Sequence, residues 1–395
     1  MKSFEFYNPT RIIFGWGALK EKGHAMTEVG KRPLVVIGQG SVKRVGYLDV
    51  LEDILKKAEL QYEIFSGVEP NPRSTTVDKG AMLAREKGCD FIIALGGGSV
   101  MDAAKGMAVS AFSGRSVWDY IYDGENKPLK IEGALPIVTI PTVAATGSEA
   151  DHVAVITNWE KHIKNSIYTP YIFPRLSIVD PSLTTTLPGH VIGEGGVDII
   201  CHVLEPYFNS RAEGYLLPRG FVEAIVRAVL DNLPVALKDR EDRDSRLNIS
   251  WASTLALSQF PTAGLGGGFW MHAIEHVVSG HYDIAHGRGL AAILPFYIKF
   301  LSKEHPEPFY LFARRIFGVL EKNKKKAIEL GVEALLSWLE EVKMRTYLSD
   351  YGVEEEKITK MAEEVLMLKA KGKEHLPGFK SLNREGIAEI LRGCL

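Results

Sequence analysis

Cysteine is scarce in this sequence. Cys89, Cys201 and Cys394 are the only three among 395 residues, and they lie far apart. An odd number of widely spaced cysteines forms neither a disulfide framework nor a Cys-x-x-Cys metal knuckle. We therefore expect free thiols in a reducing compartment, which excludes the class of small disulfide-stapled secreted domains.

Long apolar runs and an excess of one charge are absent as well. The sequence has no run of about 18 apolar residues, so it predicts no transmembrane helix and no membrane partner. Its 47 basic and 49 acidic residues leave a formal net charge of -2, which gives no reason to expect a nucleic-acid partner. The N-terminal stretch includes Pro9 and lacks the apolar core of a secretory signal, so we expect a cytoplasmic protein.

The pattern of apolar residues differs between the two halves of the chain. In the first half, short apolar runs such as residues 33–37 and 91–95 alternate with helical segments, and further strand candidates lie at residues 137–139, 153–156 and 176–179. This alternation predicts crossover units and a mainly parallel, Rossmann-like sheet. Beyond residue 188 the segments are long and helical, without a convincing strand. We predict an α/β N-terminal domain over residues 1–187 and an all-helical C-terminal domain over residues 188–395.

A glycine-rich loop follows one of the predicted buried strands. Residues 91–95 run directly into Gly96, Gly97, Gly98 and Ser99, and a helical segment comes next. Glycines let the backbone approach an anion closely, and a helix N-terminus supplies N–H donors and a favourable dipole. The loop therefore predicts a phosphate cradle, although a tight turn without a ligand is the alternative. It matches neither the G-x-G-x-x-G fingerprint nor the P-loop of nucleotide-hydrolysing enzymes.

Histidines are concentrated in one short, otherwise apolar stretch. Four of the eleven lie within residues 272–286: His272, His276, His281 and His286. Residues four apart share one face of a helix, as His272 and His276 would, and as Asp198 and His202 would further upstream. One carboxylate and three imidazoles complete the ligand shell of Fe²⁺, Zn²⁺, Mn²⁺ or Ni²⁺. The alternative is that these are hydrogen-bonded core histidines, and His281 is open between a cleft and a structural position.

Several segments carry a resemblance to a known family. Residues 96–105, GGGSVMDAAK, resemble the GGGSxxDxAK segment of the iron-containing (group III) alcohol dehydrogenases, and residues 141–149 resemble the PTxxxTGSE segment. Residues 69–72 are similar to the family's ExNP turn near the cofactor, and the aspartate and histidine sets match its metal and active-site positions. The resemblance runs from residue 4 to about residue 390 and is strongest to the butanol dehydrogenase and broad aldehyde reductase branch.

The resemblance implies an activity and a set of site residues. The activity is hydride transfer between NAD(P)H and a primary alcohol/aldehyde pair such as butanol and butanal, by a homodimer that holds Fe²⁺, with Zn²⁺ or another divalent metal as the alternative. The implied metal ligands are Asp198, His202, His272 and His286. His276 would lie near the substrate as a proton donor or relay, unless its role is only structural. Ala285 replaces a proline that many members have before the last ligand. The implied dinucleotide contacts are Asn71, Gly97, Gly98, Ser99, Asp102, Thr139, Thr142, Val153, Lys164 and Leu183.

The loop after the second predicted strand bears on the choice of dinucleotide. Dinucleotide folds often place an acid there, which binds the ribose 2′-hydroxyl and repels a 2′-phosphate. Residues 38–44 contain no acid, whereas Gly38, Gly40 and Ser41 offer donors, with Lys43 and Arg44 nearby. Charge-assisted hydrogen bonds to a 2′-phosphate would follow, so we favour NADP(H) over NAD(H).

Other classes of function share parts of this pattern. The alternatives among enzymes are a non-redox metal enzyme of dehydroquinate-synthase-like architecture and an enzyme of glycerol-dehydrogenase-like polyol oxidation. A nucleotide-binding protein with a vestigial site is a further alternative. Consumption of reduced nicotinamide in the presence of an aldehyde separates these from an aldehyde reductase.

Overall fold

The short apolar runs of the first half become the strands of one parallel sheet. The structure, a computed structural model, describes residues 3–210 and 216–395. Its strands are β1 (Arg11–Phe14), β2 (Pro33–Gly38), β3 (Glu63–Val68), β4 (Phe91–Gly96), β5 (Ile137–Pro141), β6 (Val153–Asn158), β7 (Ile163–Tyr168) and β8 (Leu176–Val179). Six of them form a sheet in the order β1-β8-β5-β4-β2-β3, and every pair in it is parallel. The predicted parallel, Rossmann-like sheet is confirmed.

Helices cover both faces of this sheet and then make up the second half of the chain. They are α1 (Ala18–Lys22), α2 (Ser41–Arg44), α3 (Tyr47–Lys57), α4 (Ser74–Glu86), α5 (Gly98–Ser113), α6 (Gly189–Asn209), α7 (Leu216–Lys238), α8 (Arg243–Ala256), α9 (Trp270–Tyr282), α10 (His286–Leu301), α11 (Pro306–Arg315), α12 (Lys324–Glu341), α13 (Glu355–Ala370) and α14 (Arg384–Gly393). Short 3-10 turns lie at Gly23–Glu28, Val117–Tyr120, Ser148–Ala150, Pro170–Ile172, Pro181–Thr184 and Leu348–Tyr351. Within the described ranges no strand follows residue 188, as predicted.

The sheet is buried because each strand alternates its side chains between two helical layers. Val36 and Ala94 pack with α4 and α5 on one face, whereas Val35 and Ile93 pack with α1 and α3 on the other. The chain leaves β2 toward β3 but leaves β4 toward β5, in the opposite direction along the sheet. The carboxyl ends of β2 and β4 therefore flank a topological switch point, the place where open α/β sheets bind ligands.

One predicted strand belongs to a separate hairpin. Residues 153–156 are extended, but as part of β6, which pairs antiparallel with β7 in the register Val153↔Tyr168 to Asn158↔Ile163. The sequence pattern did not predict β7, because its residues IKNSIY mix buried polar and apolar side chains. Both strands of the hairpin stay outside the main sheet, and β6 packs on α5.

The described residues form two compact units. One, the sheet unit, comprises residues 7–188 and 239–258, so it includes α8, which follows α7 in the chain. The other, the helical unit, comprises residues 3–6, 189–210, 216–238 and 259–395. The predicted division after residue 187 did not assign α8 to the sheet unit. A contact distant in sequence contributes to this attachment, since Thr254 on α8 donates to the buried carboxylate of Glu149 at 2.7 Å.

Helix α6 is the centre of the helical unit. It is buried around most of its circumference and packs against α7 and α10, while α9 packs against α10 and α13. A helix buried on most sides is a core helix, so α6 is held by neighbours on several sides. In the ranges that the structure describes, no helix combines the length and the apolar character that crossing a bilayer requires.

Candidate metal centre

Helix α6 presents two of the predicted ligands on one face. Asp198 and His202 are four residues apart, so they lie one turn apart on the same side, and both are buried. Glu205 extends this face by a further turn and is fully buried. Burial removes the water that would solvate this carboxylate and this imidazole. Each group therefore needs another partner, which can be a hydrogen bond, an opposite charge or a metal ion.

Helices α9 and α10 supply the remaining imidazoles. His272 and His276 lie one turn apart on α9, and His286 is the first residue of α10. The short connection between these helices bends at Asp283, which has a φ of 53°. The bend returns the chain toward α9, and the ring centroids of His272 and His286 are 5.2 Å apart.

The three predicted histidine ligands surround one carboxylate oxygen of the fourth ligand, Asp198. Asp198 Oδ1 lies 3.2 Å from His202 Nδ1, 3.8 Å from His272 Nε2 and 3.6 Å from His286 Nε2. Ligand atoms about 2.0–2.1 Å from a tetrahedral metal are roughly 3.4 Å from each other. The observed separations are those of donors arranged around a common cation.

Three of these donor atoms make no hydrogen bond to any described residue. They are Asp198 Oδ1, His202 Nδ1 and His272 Nε2, and all three are buried. Buried polar atoms without partners are uncommon in folded proteins because each one costs free energy. A divalent cation would satisfy all three together, so the residues present fit a metal ion of the Fe²⁺ or Zn²⁺ type.

Two buried glutamates bind the Nδ1 atoms of His272 and His286, on the side of each ring away from Asp198. Glu205 accepts from Nδ1 of His272 and from the backbone N–H groups of Met271 at 2.5 Å and His272 at 3.0 Å. Glu275 accepts from Nδ1 of His286 and from the hydroxyl of Ser279. With Nδ1 bound in this way, each ring directs Nε2 toward Asp198, which is the arrangement that orients metal-binding histidines.

Sequence reasoning missed both glutamates, although their spacing carried a signal. Glu205 is seven residues after Asp198 and three after His202, and Glu275 is three residues after His272. These spacings place each glutamate on the same helix face as its neighbouring ligand.

The charges around the centre shift the pKa values of its groups. Burial lowers the pKa of His202 to about 3, so its ring is neutral at physiological pH. Burial also acts against the charged form of His272, but the carboxylates of Glu205 and Asp198 outweigh it and raise that pKa to about 9. Burial alone would raise the pKa of Asp198, yet the surrounding imidazoles hold it well below its usual range. In the metal-free centre His272 therefore carries a proton at neutral pH, and a cation that binds there must displace it.

His276 and His281 occupy different positions from the four ligands. The His276 ring lies 5.5 Å from that of His286 and 6.3 Å from that of His272, beside the centre. His281 is directed to Glu364 on α13, with 2.6 Å between His281 Nε2 and the carboxylate. Its contact therefore favours the structural interpretation of His281, whereas a proton-transfer role for His276 stays a prediction.

The predicted phosphate cradle lies in the sheet unit, at the switch point. Gly97, Gly98 and Ser99 connect β4 to the first turn of α5. A Cβ atom on Gly98 would come within 2.8 Å of Thr146 Oγ1, so this close approach requires glycine. On the other side of the switch point, Gly38, Gly40 and Ser41 connect β2 to α2, and Gly40 has a φ of 105°.

The other predicted cofactor residues divide into two groups. Asn71, Thr142 and Leu183 follow β3, β5 and β8, so they lie along the same carboxyl edge of the sheet. Three others do not lie in these edge loops. Thr139 is fully buried inside β5, where its hydroxyl is 2.7 Å from that of Ser177. Val153 and Lys164 belong to the β6–β7 hairpin.

Comparison with known proteins assigns the chain to a family. Residues 9–181 match the family model described as iron-containing alcohol dehydrogenase, and residues 193–395 match the C-terminal model of the same family. The probable NADH-dependent butanol dehydrogenase 1 of Bacillus subtilis is 35% identical over 100% of both chains. The NADPH-dependent aldehyde reductase YqhD of Escherichia coli is 31% identical over 90% of both.

A solved structure has the same fold over its whole length. The crystal structure of an NADH-dependent butanol dehydrogenase A from Thermotoga maritima superposes with a TM-score of 0.93, at 35% identity, over 100% of this chain and 99% of that chain. With both halves matched by family models and full-length relatives above 30% identity, the chain belongs to the iron-containing alcohol dehydrogenase family.

Proposed function

We propose that this chain transfers hydride between NAD(P)H and a small aldehyde, or in reverse from a primary alcohol, with Fe²⁺ bound by Asp198, His202, His272 and His286. The observation that carries the proposal is the convergence of three imidazoles on the buried Asp198 Oδ1, which makes no hydrogen bond to any residue that the structure describes. Butanol dehydrogenases and an aldehyde reductase are among the relatives, so hydride transfer is favoured over the non-redox alternatives.

The chemistry requires charge stabilisation at the carbonyl oxygen. A divalent cation in this centre would supply it as a Lewis acid. The residues of the chain do the rest: Glu205 and Glu275 fix the orientation of two ligand rings, and the buried faces of α6 and α9 exclude water. His276 lies beside the ligands and could hold or give the proton that the product oxygen needs, since an imidazole titrates in the useful range.

The dinucleotide would bind at the carboxyl edge of the parallel sheet. The glycines after β4 let its diphosphate approach the first turn of α5, whose N–H groups and dipole favour an anion. The half-exposed loops after β2, β3 and β5 lie along the same edge and would contact the remaining parts. The position at a topological switch point supports this assignment.

For the dinucleotide itself we propose that NADP(H) is accepted and favoured. The support comes from the loop after β2, which contains no acidic residue. A Cβ atom on Gly40 would lie 3.5 Å from Arg44 Nη1, so the guanidinium group of Arg44 lies over this loop. Of the relatives above, two are named as NADH-dependent and one as NADPH-dependent. Comparing kcat/KM for NADPH and NADH decides the point, and a large preference for NADH would overturn it. Arg44→Ala should reduce kcat/KM for NADPH by about tenfold and spare NADH, whereas the exposed Lys57→Ala should change neither.

Metal removal and a substrate panel test the proposed reaction. We expect the loaded protein to consume NADPH in the presence of butanal, the metal-stripped protein to be inactive, and added Fe²⁺ to restore turnover. His272→Ala should lose bound metal and activity together. Undiminished turnover by metal-free protein, or no consumption of either reduced dinucleotide with any aldehyde, would show the proposal to be wrong.

We also propose a homodimer in a reducing compartment such as the cytoplasm. All three cysteines are buried free thiols, which is typical of proteins from reducing compartments. The dimer follows from the family resemblance, and sedimentation equilibrium of the full chain tests it.

A further inference from the structure

A fully buried lysine lies on α5, about two turns beyond the glycine cradle. Lys105 has no exposed surface, and a lysine is almost never fully buried unless its charge is paired. Its ammonium group contacts the carboxylate of Asp151, the hydroxyl of Ser148 at 2.9 Å and the carbonyl oxygen of Val153 at 2.9 Å. These three partners satisfy the three donors of the ammonium group.

The direction of the hydrogen bonds is fixed by the chemistry of the lysine. An ammonium group only donates, so Ser148 Oγ accepts from Lys105 and keeps its own hydrogen for another acceptor. That acceptor is Asp102 Oδ1, at 2.7 Å. The other oxygen of Asp102 accepts from the backbone N–H of Val155 at 2.9 Å. Lys105 therefore orients Asp102 through the hydroxyl of Ser148.

This chain of hydrogen bonds leads from the interior to the cradle. Lys105, Ser148 and Asp151 are buried, whereas Asp102 is partly exposed. Asp102 is four residues after Gly98 on α5, so both face the same side of the helix. The loop that carries Ser148 also places Thr146 against Gly98, which ties the same loop to the cradle.

The cluster around Lys105 contains two carboxyl groups but only one ammonium group. The carboxylate of Asp151 contacts the ammonium group directly, whereas that of Asp102 is linked to it through the hydroxyl of Ser148. Burial raises the pKa of Asp102, and Lys105, the N–H of Val155 and the hydroxyl of Ser148 act in the opposite direction. Without the ammonium group the two carboxylates would repel each other, and one of them would take up a proton.

We propose that Lys105 is a positioning residue for dinucleotide binding, which acts through Ser148 to hold the Asp102 carboxylate in a fixed orientation beside the glycine cradle. The inference rests on the proposed function, in which Asp102 contacts the dinucleotide. It adds Lys105, Ser148 and Asp151 to the residues on which dinucleotide affinity depends, none of which was predicted as a cofactor contact.

Two variants separate positioning from folding. Ser148→Ala removes the connecting hydroxyl and leaves every charge in place. The double variant Lys105→Met/Asp151→Asn removes the ammonium group together with the carboxylate that contacts it, so that Asp151 is not left as an unpaired buried charge. The control is Lys161→Met, which removes a partly exposed lysine of the same unit that pairs with Asp123 at 2.7 Å.

The measurement is a fluorescence titration of the metal-loaded, full-length protein with NADPH and with NADH, together with steady-state kinetics. We expect Ser148→Ala and the double variant to raise the Kd of the dinucleotide by about five- to tenfold, the effect of losing roughly one ordinary net hydrogen bond. The KM for butanal and the bound metal should stay as in the parent protein, and Lys161→Met should change none of these values.

Each outcome has a distinct meaning. If both variants bind the dinucleotide as the parent does and only melt at a lower temperature, Lys105 is structural and the inference is wrong. If the parent binds a dinucleotide but turns over no aldehyde, the proposed function fails while the altered Kd still supports the role of Lys105. If the parent binds neither dinucleotide, both proposals are wrong.

Discussion

At the scale of single residues, the metal centre depends on what the far nitrogen of each imidazole contacts. Glu205 accepts three hydrogens, two from backbone N–H groups and one from His272 Nδ1. A glutamine in its place offers one acceptor oxygen, and its amide group would face an N–H donor. We expect Glu205→Gln to weaken metal binding by roughly 10–100-fold, the usual effect of losing such a partner. Metal content after dialysis against a chelator series measures it.

A second buried glutamate of the helical unit provides the control. Glu223 on α7 accepts from the hydroxyl of Tyr207 at 3.0 Å and from Arg315 at 3.1 Å, and it contacts none of the proposed ligands. Glu223→Gln should lower the melting temperature without releasing metal. Equal metal loss in both variants would mean that Glu205 acts through general stability.

Protonation of His272 competes with the metal. Its pKa is raised to about 9, because Glu205 and Asp198 outweigh the effect of burial, whereas that of His202 is lowered to about 3. One proton must therefore leave as a cation binds below pH 9, and apparent affinity should rise about tenfold per pH unit between about pH 7 and pH 9. Competition with a chelator of known proton affinity, using Zn²⁺, measures the slope.

In the metal-free protein a rise in pH has the opposite effect, because it lowers the free energy of unfolding. A folded-state pKa above the unfolded value of about 6.5 means that protonated His272 stabilises the metal-free fold fully below that value. This contribution is lost as the pH rises through about 9. Glu205→Gln should flatten both dependences, and an unchanged slope in that variant would contradict the assigned cause.

The sequence pointed to the candidate ligands but not to the glutamates that contact them. Asp198, His202 and His272 stand out because imidazoles and a carboxylate at helical spacing are unusual inside apolar segments. Glu205 and Glu275 look like ordinary charged residues, and only their burial shows that they face the rings. Burial is a property of packing between α6, α9 and α10, which residue spacing within one helix does not contain.

At the scale of elements, the position of His286 depends on how closely α10 approaches α6. Gly287 follows His286, and a Cβ atom there would lie 2.3 Å from the backbone oxygen of Glu194. Backbone cannot rotate away as a side chain can, so Gly287→Ala must push the start of α10 outward. We expect a destabilisation of roughly 1–3 kcal/mol together with weaker metal binding. Thermal denaturation and metal content are the two measurements.

Another helical glycine gives the matched substitution. Gly220 lies on α7, and a Cβ there would have no atom of a described residue within 4 Å. Gly220→Ala should leave metal binding unchanged and stabilise the protein by roughly 0.5–1 kcal/mol, because alanine loses less backbone entropy in a helix. If Gly287→Ala behaved in the same way, the close approach of α10 to α6 would not be what positions His286.

Elements with a strong local pattern were predictable, and those defined by distant contacts were not. The fully apolar runs that became β2 and β4 could be buried only between two layers, so their parallel arrangement followed. The strand β7 buries Lys164 and Asn165, and no rule of alternation identifies it. The membership of α8 depends on Glu149 and on Phe14, which packs its ring 5.1 Å from that of Trp251. Those partners are about a hundred residues or more away in sequence.

At the scale of the whole molecule, the proposed metal site and the proposed dinucleotide site lie in different units. Asp198 and the three imidazoles lie in the helical unit, and the glycine cradle with Lys105 lies in the sheet unit. A ligand stabilises the structure that binds it by an amount set by its concentration relative to Kd. Hydrogen exchange reports local opening, so it can assign each stabilisation to particular elements.

We therefore expect metal and dinucleotide to protect different segments in a hydrogen-exchange experiment. Removing the metal should accelerate exchange by up to about 100-fold in α6, in α9 and in the first turns of α10, with little change in β4 and α5. Adding NADPH to the metal-free protein should slow exchange in the loops after β2 and β4 and at the start of α5. The His272→Ala variant with added metal should exchange as the stripped parent does. Acceleration in β4 and α5 equal to that in α9 on metal removal would contradict the assignment of the cation to the helical unit, because no proposed ligand lies on the sheet.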